Sequence, residues 1–299
     1  MLSVLSVLSA NRLTHGLPMS AFYRYCGISR QGYYQGLANQ LKTSDVVDQL
    51  TDLVEAYRKD NDRRAGLRSL YYNLSIKSRF NLGVNKFERL MRQAGLSLGP
   101  MRIRVVTTRS DYQSWNYPNL AKGLIINDIN KLVVGDLTMI TLGKDRYYLF
   151  CLVDVYSCRI VGARLSETMK AQEARHSLRQ WVSLRGETSL AGCIHHTDGG
   201  SQYFSKLYLA DMRQLKLAIS VAKNCLENGY AEQRNGLIKH HLIPTMKLAS
   251  SLKGLRIELD RVIGQYNNNR KQQALGWRSP VEFEQYWEDK EKRPPMTLK

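Results

Sequence analysis

The sequence predicts an α/β fold, a mixed sheet preceded by an N-terminal helical region, and three observations carry this. Apolar residues in the first third recur at helical spacing. From residue 132 the spacing becomes that of strands, three in succession with short turns. Beyond them, strands alternate with helices.

Taken in order, the chain opens on MLSVLSVLSANRL. No basic residue precedes this short apolar run, so it reads as a buried helix or strand rather than a signal peptide. Residues 18–38 predict two short helices around a turn at Gly27-Ile28-Ser29, with Ser29 capping the second. Arg24, Arg30 and Gln31 lie near that turn. The pattern fits a helix-turn-helix whose second helix enters a DNA groove, although any helical hairpin has the same outline. Residues 44–97 predict more helix, from Val46, Val47, Leu50, Leu53 and Val54 and again from Phe87, Leu90 and Met91. Residues 98–130 carry Gly99-Pro100, MRIRVVTTRS and Pro118, a linker composition in which Arg102 and Arg104 are suited to lie along DNA. LVVGDLTMITL, RYYLFCLVDVYS and RIVGARLS then read as strands. A helix is expected over 169–184, a buried strand in AGCIHHTD, a helix over 201–214, a strand in LAISVA, and helices over 228–241 and 251–268. The domain boundaries that follow are a helical DNA-binding region over 1–97, a basic linker over 98–130, a catalytic core over 131–245 and a C-terminal helical extension over 246–299.

Charge supplies the first functional clue. Lys and Arg number 44 against 26 Asp and Glu, a net charge of +18. The excess is spread along the chain rather than gathered in a tail. Such a surface attracts a polyanion, because each neutralised phosphate releases counterions. The 5 Cys are scattered and form no close pair, which argues against structural zinc and against a disulfide framework and fits a reducing cytoplasm. No apolar run reaches membrane-spanning length, and no membrane partner is expected. Gly199-Gly200 is not followed by the Lys-Ser/Thr of a phosphate-binding loop, and no nucleophile elbow is present.

Three acids stand out by position. Asp136 lies inside the first strand among Val133, Val134, Leu137 and Met139, where a carboxylate is costly to bury without compensation. Asp198 ends the strand AGCIHHTD just before Gly199-Gly200, at the C-terminal strand edge where α/β sheets place their sites. Glu232 lies in the helical run NGYAEQRNGLIKHHL. Acids on the first strand, a later strand and a following helix can converge above one sheet edge. Hard oxygen ligands of this kind suit Mg²⁺ or Mn²⁺. Two such ions about 3.5–4 Å apart stabilise the attacking and leaving oxygens of a displacement at phosphorus. Lys239 follows Glu232 by two helical turns and would hold a phosphate near the metal. His195 and His196 lack further ligands at zinc spacing and read as ordinary hydrogen-bonded strand residues. His240 and His241 read as helix-end residues or DNA contacts rather than metal ligands. Tyr266, Arg270 and Trp277 are candidate DNA contacts, with Trp277 equally suited to core packing.

The stretches VVGDLT, LVDVYSCRIVG, HHTDGGSQYFS, NGYAEQRNGLIK and YNNNRKQQALGWRSPVEFE fall in order over roughly residues 130–285. In this the chain resembles the second-frame product (OrfB) of insertion sequences of the IS-three family, relatives of retroviral integrases. CGISRQGYY and VNKFERLMRQAGL are looser matches in the N-terminal part. The resemblance implies an RNase H-like core and a DDE transposase, a polynucleotidyl transferase that frees a 3′-OH at the element end and joins it to a second phosphodiester. It implies Asp136, Asp198 and Glu232 as the metal-binding catalytic acids, two Mg²⁺ or Mn²⁺ ions with DNA bound, and Lys239 as the basic residue after the glutamate. Thr138, Gln202 and Tyr203 match positions near the acids and read as positioning residues. The partners implied are element-end and target DNA, a homo-multimer assembled on that DNA, and an upstream-frame OrfA partner or fusion, in a bacterial cytoplasm at the nucleoid. Two positions depart from the family pattern: Val133 stands where Trp is usual, and Gln272 where His is common. Other expectations compatible with the pattern are an RNase H-like nuclease without joining and a non-catalytic DNA-binding regulator.

Overall fold

A computed structural model describes residue 7 and residues 18–100, 117–222, 229–286 and 296–297. The opening apolar run other than Val7, Arg102 and Arg104 with most of the basic linker, and Cys225 lie outside the described residues. The chain forms two compact units. One comprises Met1–Glu55 and Ile76–Ser97, the other Ala56–Ser75 and Leu98–Lys299.

The N-terminal helices are α1 (Met19–Tyr25), α2 (Arg30–Asp60), α3 (Leu67–Asn73), α4 (Ile76–Phe80) and α5 (Val84–Gln93). Ser29 caps α2 as expected: its Oγ accepts the Gly32 N–H at 2.9 Å, satisfying one of the unpaired donors of the first turn. Tyr23 and Tyr33 are buried against each other across the α1–α2 turn, with ring centroids 5.4 Å apart. The second helix is not short, as the sequence reading had it, but runs unbroken to Asp60. No proline interrupts it, and the isolated Gly36 weakens a helix without ending it. Arg30 is exposed at its first residue, with its guanidinium 5.8 Å from the centre of the Tyr34 ring.

The second unit is built on five strands: β1 (Leu132–Leu142), β2 (Asp145–Asp154), β3 (Ile160–Ser166), β4 (Ile194–Thr197) and β5 (Ala218–Val221). Their order is β3-β2-β1-β4-β5. β1, β2 and β3 pair antiparallel, whereas β4 joins β1 and β5 joins β4 in parallel. This is the mixed sheet that the sequence predicted. Beyond it, Ile125–Ile126 pairs antiparallel with Met296–Thr297. The helices that cover the sheet are α6 (Ala171–Arg185), α7 (Lys206–Gln214), α8 (Gly229–Leu237) and α9 (Leu252–Asn269), followed by α10 (Pro280–Tyr286). α7 starts later than expected because residues 201–205 form turns and Ser205 caps the helix, accepting the Tyr208 N–H.

The period of two along each strand sorts side chains onto two cores. Val133, Phe150, Leu152 and Val161 pack with Ala174, Leu178 and Trp181 of α6 and Tyr208 and Met212 of α7. Leu132, Val134, Cys151 and Val153 pack on the opposite face with Ala231 of α8 and Leu255, Leu259 and Val262 of α9. Asp136 follows Leu132 and Val134 in the same alternation and so points toward the α8 side. Helix α9, expected as part of an extension, is thus a wall of the sheet. Among the described residues no helix is long and apolar enough to cross a membrane.

β3 and α6 approach so closely that a side chain on Gly162 has no room: a Cβ there would lie 2.2 Å from the Ser177 carbonyl oxygen. That oxygen belongs to a fully buried backbone and cannot swing aside. Gly162→Ala is therefore expected to destabilise the protein by about 1–3 kcal/mol, the usual scale of overpacking. Chemical denaturation should show a lower midpoint with an unchanged slope, and an unchanged midpoint would contradict the close approach.

Candidate active site

Strand pairing brings the first two acids together. The parallel register of β1 and β4 runs from Leu132↔Ile194 to Gly135↔Thr197. Asp136 and Asp198 are the residues that follow this last pair, close enough that the charge of Asp198 raises the pKa of Asp136. Asp198 can leave the strand sharply because Gly199 takes a φ of 83°, a left-handed value that glycine adopts without strain. The carboxylate then turns back to accept the Gly200 N–H at 3.0 Å.

The motif around Asp136 is explained by what packs beside it. Gly135 faces the other core, where a Cβ would lie 2.7 Å from Cε1 of His195. His195 fills that space. Its Nδ1 lies 3.3 Å from the Val133 carbonyl and its Nε2 2.8 Å from the Tyr208 hydroxyl. Burial lowers its pKa to about 4, so the imidazole is neutral, donating from Nδ1 and accepting at Nε2. His196 lies 2.8 Å from the Ser220 hydroxyl. Both histidines are strand residues with ordinary hydrogen bonds, as the sequence suggested.

Helix α8 brings the third acid. Ala231, Asn235, Ile238 and Leu242 form its buried stripe, at the three- and four-residue spacing of one helical face. Asn235 donates its amide to Asp136. Glu232 lies one turn before Asn235 and is exposed on the flank of that stripe, as is Lys239. Tyr230 fixes the start of the helix, its hydroxyl donating to the Val155 carbonyl at 3.0 Å. Arg234 lies 4.8 Å from the centre of the Tyr230 ring and bonds Gln272 Oε1 at 3.1 Å. Gln272 in turn donates to the Tyr266 hydroxyl at 3.1 Å, so the residue that departs from the family pattern sits in a satisfied chain. The α-helical part ends at Leu237, and Ile238–Leu242 forms a wider π turn.

The electrostatics single out Asp136. Its carboxyl accepts the Leu137 N–H at 2.8 Å and the Asn235 amide, and it has no ion pair among the described residues. Burial, then the charge of Asp198 and, less, that of Glu232 raise its pKa to about 7 against the help of those two hydrogen bonds. Burial raises Asp198 as well. Tyr203 is buried between His195 and Tyr208. Its hydroxyl has no hydrogen-bond partner among the described residues, and burial, then Tyr208, Asp136 and Asp198 drive its pKa upward. Two neighbouring buried carboxylates, with no ion pair among the described residues, suit a hydrated divalent cation. Among the described residues, no three of His, Cys, Asp and Glu stand close enough to form a closed metal shell. The acids are neighbours rather than a preformed cradle.

Other expected DNA contacts take different places. Arg270 turns inward and holds the buried carboxylate of Asp62 through Nε at 3.0 Å and Nη2 at 2.8 Å. Tyr266 is buried and donates to the Cys158 carbonyl at 2.9 Å. Trp277 stacks on Tyr72 with ring centroids 3.8 Å apart. Asn235, Tyr230, Arg234 and Asp62 were missed in the sequence. Asn235 follows Glu232 at the three-residue helical spacing, a signal that was available, whereas Tyr230 and Arg234 are four apart on another face of the helix. Asp62 had no local signal.

Two models of the integrase core domain match the chain, over residues 127–228 and 213–280. A 31 kDa protein of insertion element IS600 from Shigella sonnei is 27% identical over 261 residues, covering 86% of this chain and 95% of that protein. A putative transposase of IS986/IS6110 from Mycobacterium tuberculosis is 31% identical over 170 residues, covering 55% of this chain and 61% of that protein. Among solved structures, the HTLV-2 integrase catalytic core in complex with magnesium superposes with a TM-score of 0.42 at 18% identity. It covers 56% of this chain and 99% of that one.

The raised pKa of Asp136 has a measurable consequence. The folded protein keeps that proton up to about pH 7, whereas the unfolded chain releases it near pH 4. The folded state binds more protons in between, so stability contributed by this group falls as pH rises through that window. In a chelator, Asp136→Asn should melt above the wild type at pH 8, and the gap should close toward about pH 4. Adding Mg²⁺ should raise the wild type and leave the variant unmoved. A gap independent of pH, or equal responses to Mg²⁺, would contradict the assignment.

Proposed function

We propose that this chain, which belongs to the integrase-core family of insertion-sequence transposases, cuts DNA at the ends of its element and joins those ends to a target, with Asp136, Asp198 and Glu232 as the metal-binding acids. One observation supports this above the others. Asp136 is held in a central strand beside Asp198, on the side faced by the Glu232 helix, without an ion pair among the described residues. A carboxylate in that position is compensated when a divalent cation binds.

Mg²⁺ or Mn²⁺, two ions when DNA is bound, would there polarise the phosphodiester and steady the attacking and leaving oxygens. Asp136 and Asp198 supply two ligand groups from adjacent strands and Glu232 a third from α8. Asn235 fixes the orientation of Asp136 through its amide. Lys239, exposed two turns beyond Glu232, binds substrate phosphate. Thr138, Gln202 and Tyr203 position the acids and their surroundings. No protein nucleophile is required, because the joining hydroxyl belongs to DNA.

The N-terminal helical region contributes end binding through the α1–α2 turn, with Arg30 as a contact, and Arg102 and Arg104 follow the DNA backbone. Assembly of several copies on paired ends, an OrfA partner or fusion, and a place at the nucleoid in the cytoplasm belong to the same proposal.

The test is a Mg²⁺-dependent cleavage and joining assay on duplexes that carry the flanking element ends. Asp136→Asn, Asp198→Asn and Glu232→Gln should each lower both steps by at least about 100-fold, the scale at which losing one group that stabilises developing charge is felt. DNA binding in chelator should persist in all three. Nicking without a joined product would favour a simple nuclease, and equal activity in wild type and variants would refute the assignment of the acids.

A further inference from the structure

Asp62 is fully buried, yet it lies in a turn between α2 and α3 where the sequence shows only DNDRRAG. Its carboxylate is the centre of a small hub. Oδ1 lies 2.7 Å from His241 Nδ1 and accepts the Arg64 N–H at 3.0 Å. Oδ2 accepts both Arg270 bonds. These partners hold its pKa below the usual carboxylate range although burial opposes them. The Arg63 N–H donates to the His241 carbonyl at 3.1 Å. All these residues belong to one unit. The hub therefore clips the Asp62–Arg64 turn onto the π turn that ends the helix carrying Glu232.

A buried charge with three separate partners is a costly device for holding a surface turn. What it delivers is Arg64. That residue follows the hub directly, is only half-buried, and bonds the Gly99 carbonyl at 2.9 Å. His240 precedes His241 on the π turn, and Lys239 precedes His240. Burial and then the charges of Lys239, His241 and Arg64 lower the pKa of His240, which puts all three basic groups within electrostatic reach of it. Basic groups from two distant parts of the chain are thus gathered beside the helix that carries Glu232, and among the described residues Arg64, Lys239 and His240 form no ion pair.

Resting on the DNA-joining reading above, we propose that Arg64, with Lys239 and His240, forms a binding site for the phosphate backbone of the DNA substrate, and that Asp62 is the positioning residue that sets Arg64 in it. Arg64 presents a planar fork that matches a phosphate. Contacts of this type fix the register of DNA on the protein without reading its sequence.

The experiment measures binding of an element-end duplex by fluorescence anisotropy in chelator, over a salt series from about 50 to 200 mM. One phosphate contact contributes about 0.9 to the slope of log affinity against log salt. Arg64→Ala should lower the slope by about that amount, Arg64→Lys should retain it, and Lys239→Ala should lower it in the same way. Asp62→Asn should reproduce the loss, and adding Arg64→Ala to it should change the slope no further. Because Asp62→Asn disturbs a buried hub, its fold is checked by circular dichroism, and Arg64→Ala decides the matter if that variant unfolds. An Arg64→Ala slope equal to wild type, with Lys239→Ala reduced, would overturn the proposal and leave the DNA-joining reading standing. A wild-type protein with no salt-dependent affinity for the duplex would overturn both.

Discussion

The structure turns on a carboxylate placed where a carboxylate is expensive. Asp136 is flanked in β1 by valines and a leucine, opposite Cys151 on β2 and one residue beyond the last parallel pair with β4, where Asp198 follows on that side. Burial and like charge both disfavour its ionised form, and together they bring its pKa to about 7. A purely structural fold would replace it with an apolar residue at a gain in stability. The surroundings instead keep it and orient it. Asn235 reaches it from α8, Gly135 gives way to His195 on the opposite face, and Gly199 lets Asp198 curl back beside it. The motifs VVGDLT, HHTDGG and NGYAEQRNG are three sides of this one arrangement.

The sheet is braced from both chain directions. On the C-terminal side, Glu284 of α10 pairs with Arg159 and Arg185, and Arg185 lies 4.0 Å from the fully buried Asp154. Asp154 also accepts the Asn130 N–H at 2.7 Å and the Ser157 N–H at 3.0 Å. On the N-terminal side, the segment Ala56–Ser75 is tied to the same unit by the Asp62 hub, by Asn73 bonding the Lys271 backbone, and by Tyr72 stacking on Trp277. Paired buried charges of this kind specify one arrangement more than they stabilise it, because desolvation cancels much of the attraction. A site that must hold reacting groups to a fraction of an ångström benefits from that kind of specification.

Much of this was legible in the sequence, and the divide follows a physical line. β1 was readable residue for residue, because alternation sorts its side chains onto two cores. Asp136 and Asp198 stood out because each breaks or ends a largely apolar strand, and Glu232 by its place in the helical run that follows. Residues 18–38 read as two short helices, whereas the second continues to Asp60 because no proline interrupts it and an isolated Gly36 weakens a helix without ending it. The hub at Asp62 was invisible, since its partners lie some two hundred residues away and leave no local period. Arg270 was misread for the same reason, a basic residue near the surface in sequence that turns inward to a distant carboxylate. The π turn after Leu237 likewise depends on tertiary packing rather than on composition.

The central claim is that these acids become a divalent-cation site. The most direct measurement is a crystal structure of the protein with Mn²⁺, using anomalous scattering to place the ion. The expected result is a peak bridging Asp136 and Asp198 at about 2.0–2.2 Å from their carboxylate oxygens, the range of hard-ion coordination, with Glu232 turned toward it. A peak elsewhere in the molecule, or none at saturating Mn²⁺, would contradict it.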